Sequence, residues 1–554
     1  MFKIYNSLNV GTTRFQNQNV TDNGANSKTP KANLLMSVFV ICGLFLTGFT
    51  ASAQITVTNP GNTTPALNAT YTSLALAITD VNNRTAISGP VTITLSAAQT
   101  APAGGYSISN AAITGGSNTN RITFDGGANV ITAGVGTSTT TDAFFKIIGT
   151  DFITLQNFVM NESAGNITTT TQIEWGVALL YATATNGSQN ITIQNNTITL
   201  NRTNANTLGI YSNSTHTATS VGTSATATGT AGGNSGLKIY SNTISNVNQG
   251  IVIVGPTAVA DANTGIEIGG ASLGNTITNF GTTTTASYIN VSGTVNGILI
   301  RNSNGFTISN NTVTSSVGGT TLGTLNGIQV PAATTAPTTT FTNNINSNTI
   351  SLQSGLATGP IVGISYPSGS ASATSVLNVN SNNFATFGHT VAASGAITFI
   401  TVTSTNLTTS ISSNTFTNMS VNTTGSVTFI SNSITVPAGG SQTISSNSIV
   451  TAFNKTGAGG TVTGITTGGS STTVTSTWNA NNFSNITVTG ATAITFINNT
   501  DGGSVNHNIT NNIFNNITGG TSAIVGINSS FGGDRKSTRL NSSHLARSRM
   551  PSSA

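Results

Sequence analysis

The feature that most constrains this chain is an asparagine returning at one place in a recurring hexapeptide: apolar, two small polar residues, Asn, any residue, apolar. It is first met as Ile193-Gln194-Asn195-Asn196-Thr197-Ile198. The same frame comes back around Asn242, Asn311, Asn348, Asn382, Asn414, Asn447, Asn481 and Asn512. From Asn311 onward the steps between these asparagines are 37, 34, 32, 33, 34 and 31 residues. Self-similarity at such a period marks a solenoid or an array. A second signal with nearly the same period lies between the copies, as in Gly297-Ile298-Leu299-Ile300, Gly327-Ile328-Gln329-Val330 and Ile397-Thr398-Phe399-Ile400. Each repeat therefore holds at least two short strands of alternating apolar residues, parted by loops of Gly, Ser, Thr and Asn.

Stacked coils need one turn residue at one offset in every coil. A string of small immunoglobulin-like domains does not, and it would need buried tryptophans where the chain has only Trp175 and Trp478. Asparagine tolerates the left-handed backbone of a sharp corner. Its amide both donates and accepts, so asparagines stacked at a corner can bond along a column. Ile, Val, Phe and Thr suit pleated walls, and alternation turns the apolar set inward. The expected fold is all-β, a right-handed parallel β-helix of roughly 12 coils, ~60 Å long at about 4.8 Å per coil. The nine asparagines named above form its ladder. Solenoid ends must be closed against edge pairing. Residues 71–81 predict a short capping helix with Leu74, Ile78 and Val81 on one face.

Both ends read as something other than folded protein. Residues 34–49 are an apolar run behind Lys28 and Lys31, followed by Ala51-Ser52-Ala53 and Gln54. A basic flank, a short apolar core and a small-x-small exit predict a secretory signal peptide cleaved between Ala53 and Gln54. The run is short for a membrane span, and no basic stop-transfer flank follows it. Cys42, the one cysteine, lies within the run, so no disulfide is expected in the mature chain. From Asp534 to Ala554 the residues read as a translated sequencing-library adapter, and the gene is expected to run on past Gly533. The expected organisation is a leader over 1–53, a cap and first strands over 54–120, coils over 121–533, and adapter-derived residues over 534–554.

That division decides the charge argument. The formal net charge is +5, yet residues 54–533 carry seven basic and nine acidic side chains. The basic excess sits in the two ends, which removes the case for a nucleic-acid partner. The mature chain is expected to be exported, secreted or held at the cell surface, monomeric, and without a membrane span.

The opening, Tyr71…Leu74…Ala77-Ile78…Asn82 and then Gly89-Pro90-Val91-Thr92-Ile93, resembles the start of large secreted β-helix proteins of Gram-negative bacteria that use type IX secretion. Residues 145–158, FKIIGTDFITLQNF, are similar to coils of the pectin-lyase-like superfamily. The resemblance covers residues 65–533. It implies the parallel β-helix fold and, for some members, polysaccharide lyase or glycoside hydrolase activity.

Such chemistry needs charged groups: two carboxylates for glycoside hydrolysis, or carboxylates for calcium and a strong base for elimination. From Asn302 to Asn454, 153 residues contain no Asp, Glu, Lys or Arg, and His389, expected on an exposed loop, is the one side chain titrating near neutral pH. Asn499-Thr500-Asp501 matches the first polygalacturonase motif, but the motifs that should follow are absent. His216 and His507 show no metal-ligand spacing. The charged cluster is early: Arg121, Asp125, Asp142, Lys146, Asp151, Glu162 and Glu174. An active site, if present, would use Asp125, Asp151 and Glu162 brought to one face by neighbouring coils; the plainer reading is solvated loop charges.

The leading expectation is therefore a non-catalytic surface protein, adhesin-like or structural, without cofactor or metal. It would meet extracellular polysaccharide through hydroxyls and amides, with Tyr181, Tyr211, Tyr240, Tyr288 and Tyr366 as candidate stacking rings. The alternative is a polysaccharide lyase or hydrolase. Ice binding by threonine arrays is a third idea, disfavoured because Thr-x-Thr wanders in register along the sequence.

Overall fold

Each coil contributes three short strands, and each strand pairs in parallel with its counterpart in the next coil. One coil runs through Ile153–Gln156, Val159–Asn161 and Trp175–Leu180, and the next through Thr192–Gln194, Thr197–Thr199 and Leu208–Asn213. Stacking these builds three walls, here called I, II and III in chain order, of 15, 11 and 13 strands. The computed structural model describes residues 53–530 apart from 216, 220–225, 282–293, 321–322, 333–338 and 368–372. The expected leader and adapter-derived tail lie outside the described residues, except that Ala53 and Gln54 are described. No helix among the described residues is long and apolar enough to cross a membrane.

The chain is a parallel β-solenoid, and alternation explains it locally. Wall II strands such as Thr197–Thr199 and Thr243–Ser245 bury only their central isoleucine. Wall I strands such as Val376–Asn380 bury two residues and turn three outward. Inside, one column of wall III runs Ile251, Ile298, Ile328, Ile364, Ile400, Ile430, Ile465 and Ile497. Phenylalanines stack beside it: Phe384 on Phe416 at 5.4 Å and Phe399 on Phe429 at 5.0 Å. The sequence signal of two strands per repeat is three in the structure. Walls I and II meet across a two-residue corner, so their apolar residues read as one hexapeptide.

That corner corrects half of the reason given for asparagine. The left-handed residue is the one before each ladder position: Asn195, Ser241, Asn310, Ser347, Ser381, Ser413, Ser446, Ala480 and Asn511, all with φ between 51° and 59°. The ladder asparagines themselves have negative φ.

The first coil is closed by local structure. Ile55–Thr58 pairs antiparallel with both Thr70–Tyr71 and Val91–Leu95. The helix spans Leu74–Asn82, shorter than the sequence predicts, because Ser73 caps it, its Oγ accepting from Leu76 N at 3.3 Å. It buries Leu74, Ala77, Ile78 and Val81. Tyr71 lies instead in a strand, its hydroxyl bonded to Asp80.

Wall III changes character along the rod. Trp175–Leu180, Leu208–Asn213 and Gln249–Val254 are buried on both faces. Their outward side chains, Trp175, Ala178, Tyr211 and Val252 with Leu299 of the following strand, form a second apolar cluster outside the solenoid. Ile397–Val402 and Val427–Asn432 have instead two partly exposed positions each.

Candidate functional site

The asparagines occupy one buried column at the corner of walls I and II. Asn382 Oδ1 accepts from both the backbone N and Nδ2 of Asn348, each at 3.0 Å. Asn382 Nδ2 donates to Asn414 Oδ1 at 3.0 Å and to Ile345 O at 2.8 Å. The same set of bonds links Asn196, Asn242, Asn275, Asn311 and Asn348 upstream. Downstream it links Asn414, Asn447, Asn481 and Asn512. Asn275 escapes the spacing pattern because residues 269–274 separate it from its wall I strand, Glu267–Ile268, leaving Ser272 where the hexapeptide has an apolar residue.

The early carboxylates do not converge. Asp125 ends a wall I strand, Asp151 lies at the corner of walls III and I, and Glu162 follows a wall II strand. They occupy three different corners of the coil, so the expectation of one shared face fails. Each is engaged locally. Asp125 accepts from Gly127 N at 2.8 Å, Gln156 Nε2 at 2.8 Å and Asn157 Nδ2 at 3.0 Å. Burial raises its pKa, but these three donors outweigh it and leave the carboxyl below its ordinary value. Asp151 accepts from Gln189 N at 2.7 Å, and Glu162 from Ile173 N at 2.7 Å and Asn166 Nδ2 at 2.7 Å. Burial lifts both above the usual carboxylate range, and these donors offset only part of it.

The carboxylates the structure does bring together are Asp142 and Glu174, at neighbouring positions where the chain enters wall III. Asp142 N donates to Glu174 Oε2 at 2.9 Å, and Ser138 N donates to Asp142 Oδ2 at 2.7 Å. Burial pushes Glu174 up to about 8, reinforced by the charges of Asp142 and Glu162 and opposed by donors from Asp142 N and Asn204. Burial holds the Lys146 amine below its ordinary value, against the pull of those two carboxylates. Glu174 is 0 % exposed, so an acid of this strength has no route to an external substrate.

Other candidate residues are redistributed. His389 is 7 % exposed and lies in a short strand, with Nδ1 3.0 Å from Leu356 O, where an exposed loop was expected. Burial lowers its pKa. Asp501, of the Asn-Thr-Asp match, is buried and 3.6 Å from His507. His216 and Tyr288 lie outside the described residues. Tyr181, Tyr211 and Tyr366 are buried and cannot stack on a ligand; Tyr211 instead packs against Trp175 at 4.9 Å. Tyr240 remains half-exposed on the outer face of wall I. There it follows a chain of side chains in which Gln194 Nε2 donates to Gln156 Oε1 at 2.7 Å and Gln156 to Asp125 at 2.8 Å. Its hydroxyl bonds Glu267, which also lies 3.7 Å from Lys238. Among the described residues no group of three or more His, Cys, Asp or Glu could hold a metal ion.

No protein-family model matches the chain. No curated protein matches it either. Among solved structures it is similar to the Streptococcus pneumoniae surface protein and adhesin PfbA. That likeness has 11 % identity and a TM-score of 0.35, and covers 77 % of this chain and 91 % of that one.

Proposed function

We propose that this is a non-catalytic secreted or cell-surface rod, adhesin-like or structural, that meets extracellular polysaccharide through its outer faces. The observation that carries this reading is the outer face of wall I. Tyr240 presents a half-exposed ring held by Glu267, beside a line of bonded amide side chains. Aromatic planes flanked by amides and hydroxyls suit sugar rings, which have apolar faces and polar rims. The tethered, scattered carboxylates and the solvent-inaccessible Glu174 speak against hydrolysis or elimination. In this reading the chain is exported by its leader, acts as a monomer, and shares the pectin-lyase-like architecture without its chemistry.

The test is a glycan array and a cell-adhesion assay with the purified full chain. Retention of a polysaccharide, reduced several-fold by Tyr240→Ala, is expected. Absence of both adhesion and glycan retention sinks the proposal. Release of new reducing ends or unsaturated sugars from acidic polysaccharides, abolished by Asp151→Ala or Glu162→Ala, would establish the enzymatic alternative instead.

A further inference from the structure

Wall II carries a surface that the polysaccharide reading does not use. Five consecutive coils place Thr-x-Thr or Thr-x-Ser on its outer face, beginning at Thr197, Thr243, Thr276, Thr312 and Thr349. Along the sequence these triplets are 46, 33, 36 and 37 residues apart and look irregular. In the structure they are aligned: Thr197 pairs with Thr243, Thr243 with Thr276, Thr276 with Thr312 and Thr312 with Thr349. The loops absorb the differences in length. The second column follows the same path, with one register shift after Ile277.

The alignment has a physical cause. Each of these threonines directly follows a ladder asparagine: Asn196, Asn242, Asn275, Asn311 and Asn348. The Nδ2–Oδ1 hydrogen bonds between those asparagines, 2.9 to 3.0 Å long, lock the coils in step. The threonines stand one residue beyond that lock. Their spacing is then set by the sheet, about 4.8 Å from coil to coil and roughly 6.6 Å from i to i+2 within a strand. Branching at Cβ restricts χ1, so each hydroxyl and methyl is held near one position.

Most of the hydroxyls are also uncommitted. Thr199 and Ser245 share a bond at 3.1 Å. The hydroxyls of Thr243, Thr276, Thr312, Thr314 and Thr349 make no hydrogen bond to another described residue. Thr243 and Thr312 are exposed, and the others of the column are partly so. From Val130 to Ser448 the outward positions of wall II carry neither a charge nor an aromatic ring. Wall I differs, with Lys238, Glu267 and Tyr240 on its outer face.

We infer that the outer face of wall II is an ice-binding plane, on which water ordered by the threonine lattice joins the lattice of an ice crystal. A soluble glycan samples such a face along one line and needs no second periodicity. A crystal of water has two, with spacings of the same order as those of the array. Hydroxyls anchor water while methyls hold it in the gaps between them. A rigid face surrenders little entropy on docking. A charged face would impose its own hydration on the layer, and wall II has none.

The experiment follows a fluorescently labelled full chain during slow growth of an ice hemisphere and measures its concentration in ice against the remaining liquid. Recrystallisation inhibition is read in parallel. The chain is expected to be enriched in ice, and Thr276→Tyr with Thr312→Tyr to lose most of that enrichment. Tyrosine suits strands, and Thr443→Tyr on the outer face of wall I is expected to leave the enrichment intact. Should the double variant misfold by circular dichroism, Thr276→Ser with Thr312→Ser decides: it keeps the hydroxyls, removes the methyls, and is expected to weaken enrichment several-fold. Exclusion of the unaltered chain from ice overturns the inference, as does a folded variant as enriched as its parent. Sedimentation with cellulose or chitin powder without uptake into ice would also overturn it and give the face to a crystalline polysaccharide. Because Tyr240 is untouched throughout, failure here leaves the glycan result standing, and the reverse holds.

Discussion

At the scale of single residues the molecule is organised by one side chain used in one way. The amide of Asn382 accepts two bonds and donates two, all within a buried corner. Asn382→Ala takes the partner from Asn348 N and the amide donor from Ile345 O, and leaves Asn348 Nδ2 with only its bond to Ile308 O; each orphaned buried group costs about 1–3 kcal/mol. A loss of about 3 kcal/mol or more is expected from the urea midpoint. Asn382→Asp keeps the acceptor but sets a buried carboxylate against Ile345 O and Asn414 Oδ1. Its folded pKa must rise, so the stability it retains is full in acid and is lost as pH increases. It should be less stable than the alanine variant at pH 7 and recover part of the loss toward pH 4. A pH-independent midpoint for Asn382→Asp would show that the column is not a sealed amide chain. Nine of these ten asparagines are legible in the sequence because their spacing is the period of the coil. Asn275 is not, because an insertion between its wall I strand and the corner breaks the hexapeptide without breaking the stacking.

At the scale of elements, periodicity revealed the coil but not where its loops fold back. The burial of Trp175–Leu180 on both faces depends on what packs outside wall III, and alternation within six residues cannot report that. Ala218, from a distant loop, packs against the outer cluster. Glu174 escapes the sequence for a similar reason: there it is one of several loop charges, and the structure buries it completely. Its folded pKa of about 8 stands above the ordinary 4.5. The protonated form is the one the fold prefers. Its contribution is therefore fully present below about pH 4.5 and is lost as pH rises through 8. Glu174→Gln removes that titration; Asn204 can accept from the new amide by turning its own over, at the loss of the bond from Asn206 N. The variant should match the parent near pH 4.5 and exceed it at pH 9, by at most about 5 kcal/mol. Equal stability of the two chains at pH 9 would place Glu174 in contact with water.

At the scale of the whole molecule, each coil touches its neighbours, and stability is a sum of coil and interface contributions that need not rise or fall together. Charge is distributed just as unevenly: every Asp, Glu, Lys and Arg of the described residues lies before Asn302 or after Asn454. The middle coils are held without ion pairs, by packing and by backbone and side-chain hydrogen bonds, the amide column among them. This gives a damaged coil a limited reach. In the Asn382→Ala chain, hydrogen exchange should accelerate in the strands stacked directly against it, Thr342–Asn346, Val376–Asn380 and Thr408–Ser412. The effect should fade within a few coils in both directions. Exchange in Val91–Leu95 and Ile153–Gln156, stacked many coils away, should keep the parent's rates. Uniform acceleration from cap to last coil would mean that the rod opens as one cooperative body. A graded profile would mean that the lattice on wall II, which lies upstream of Asn382, survives damage to the coils below it.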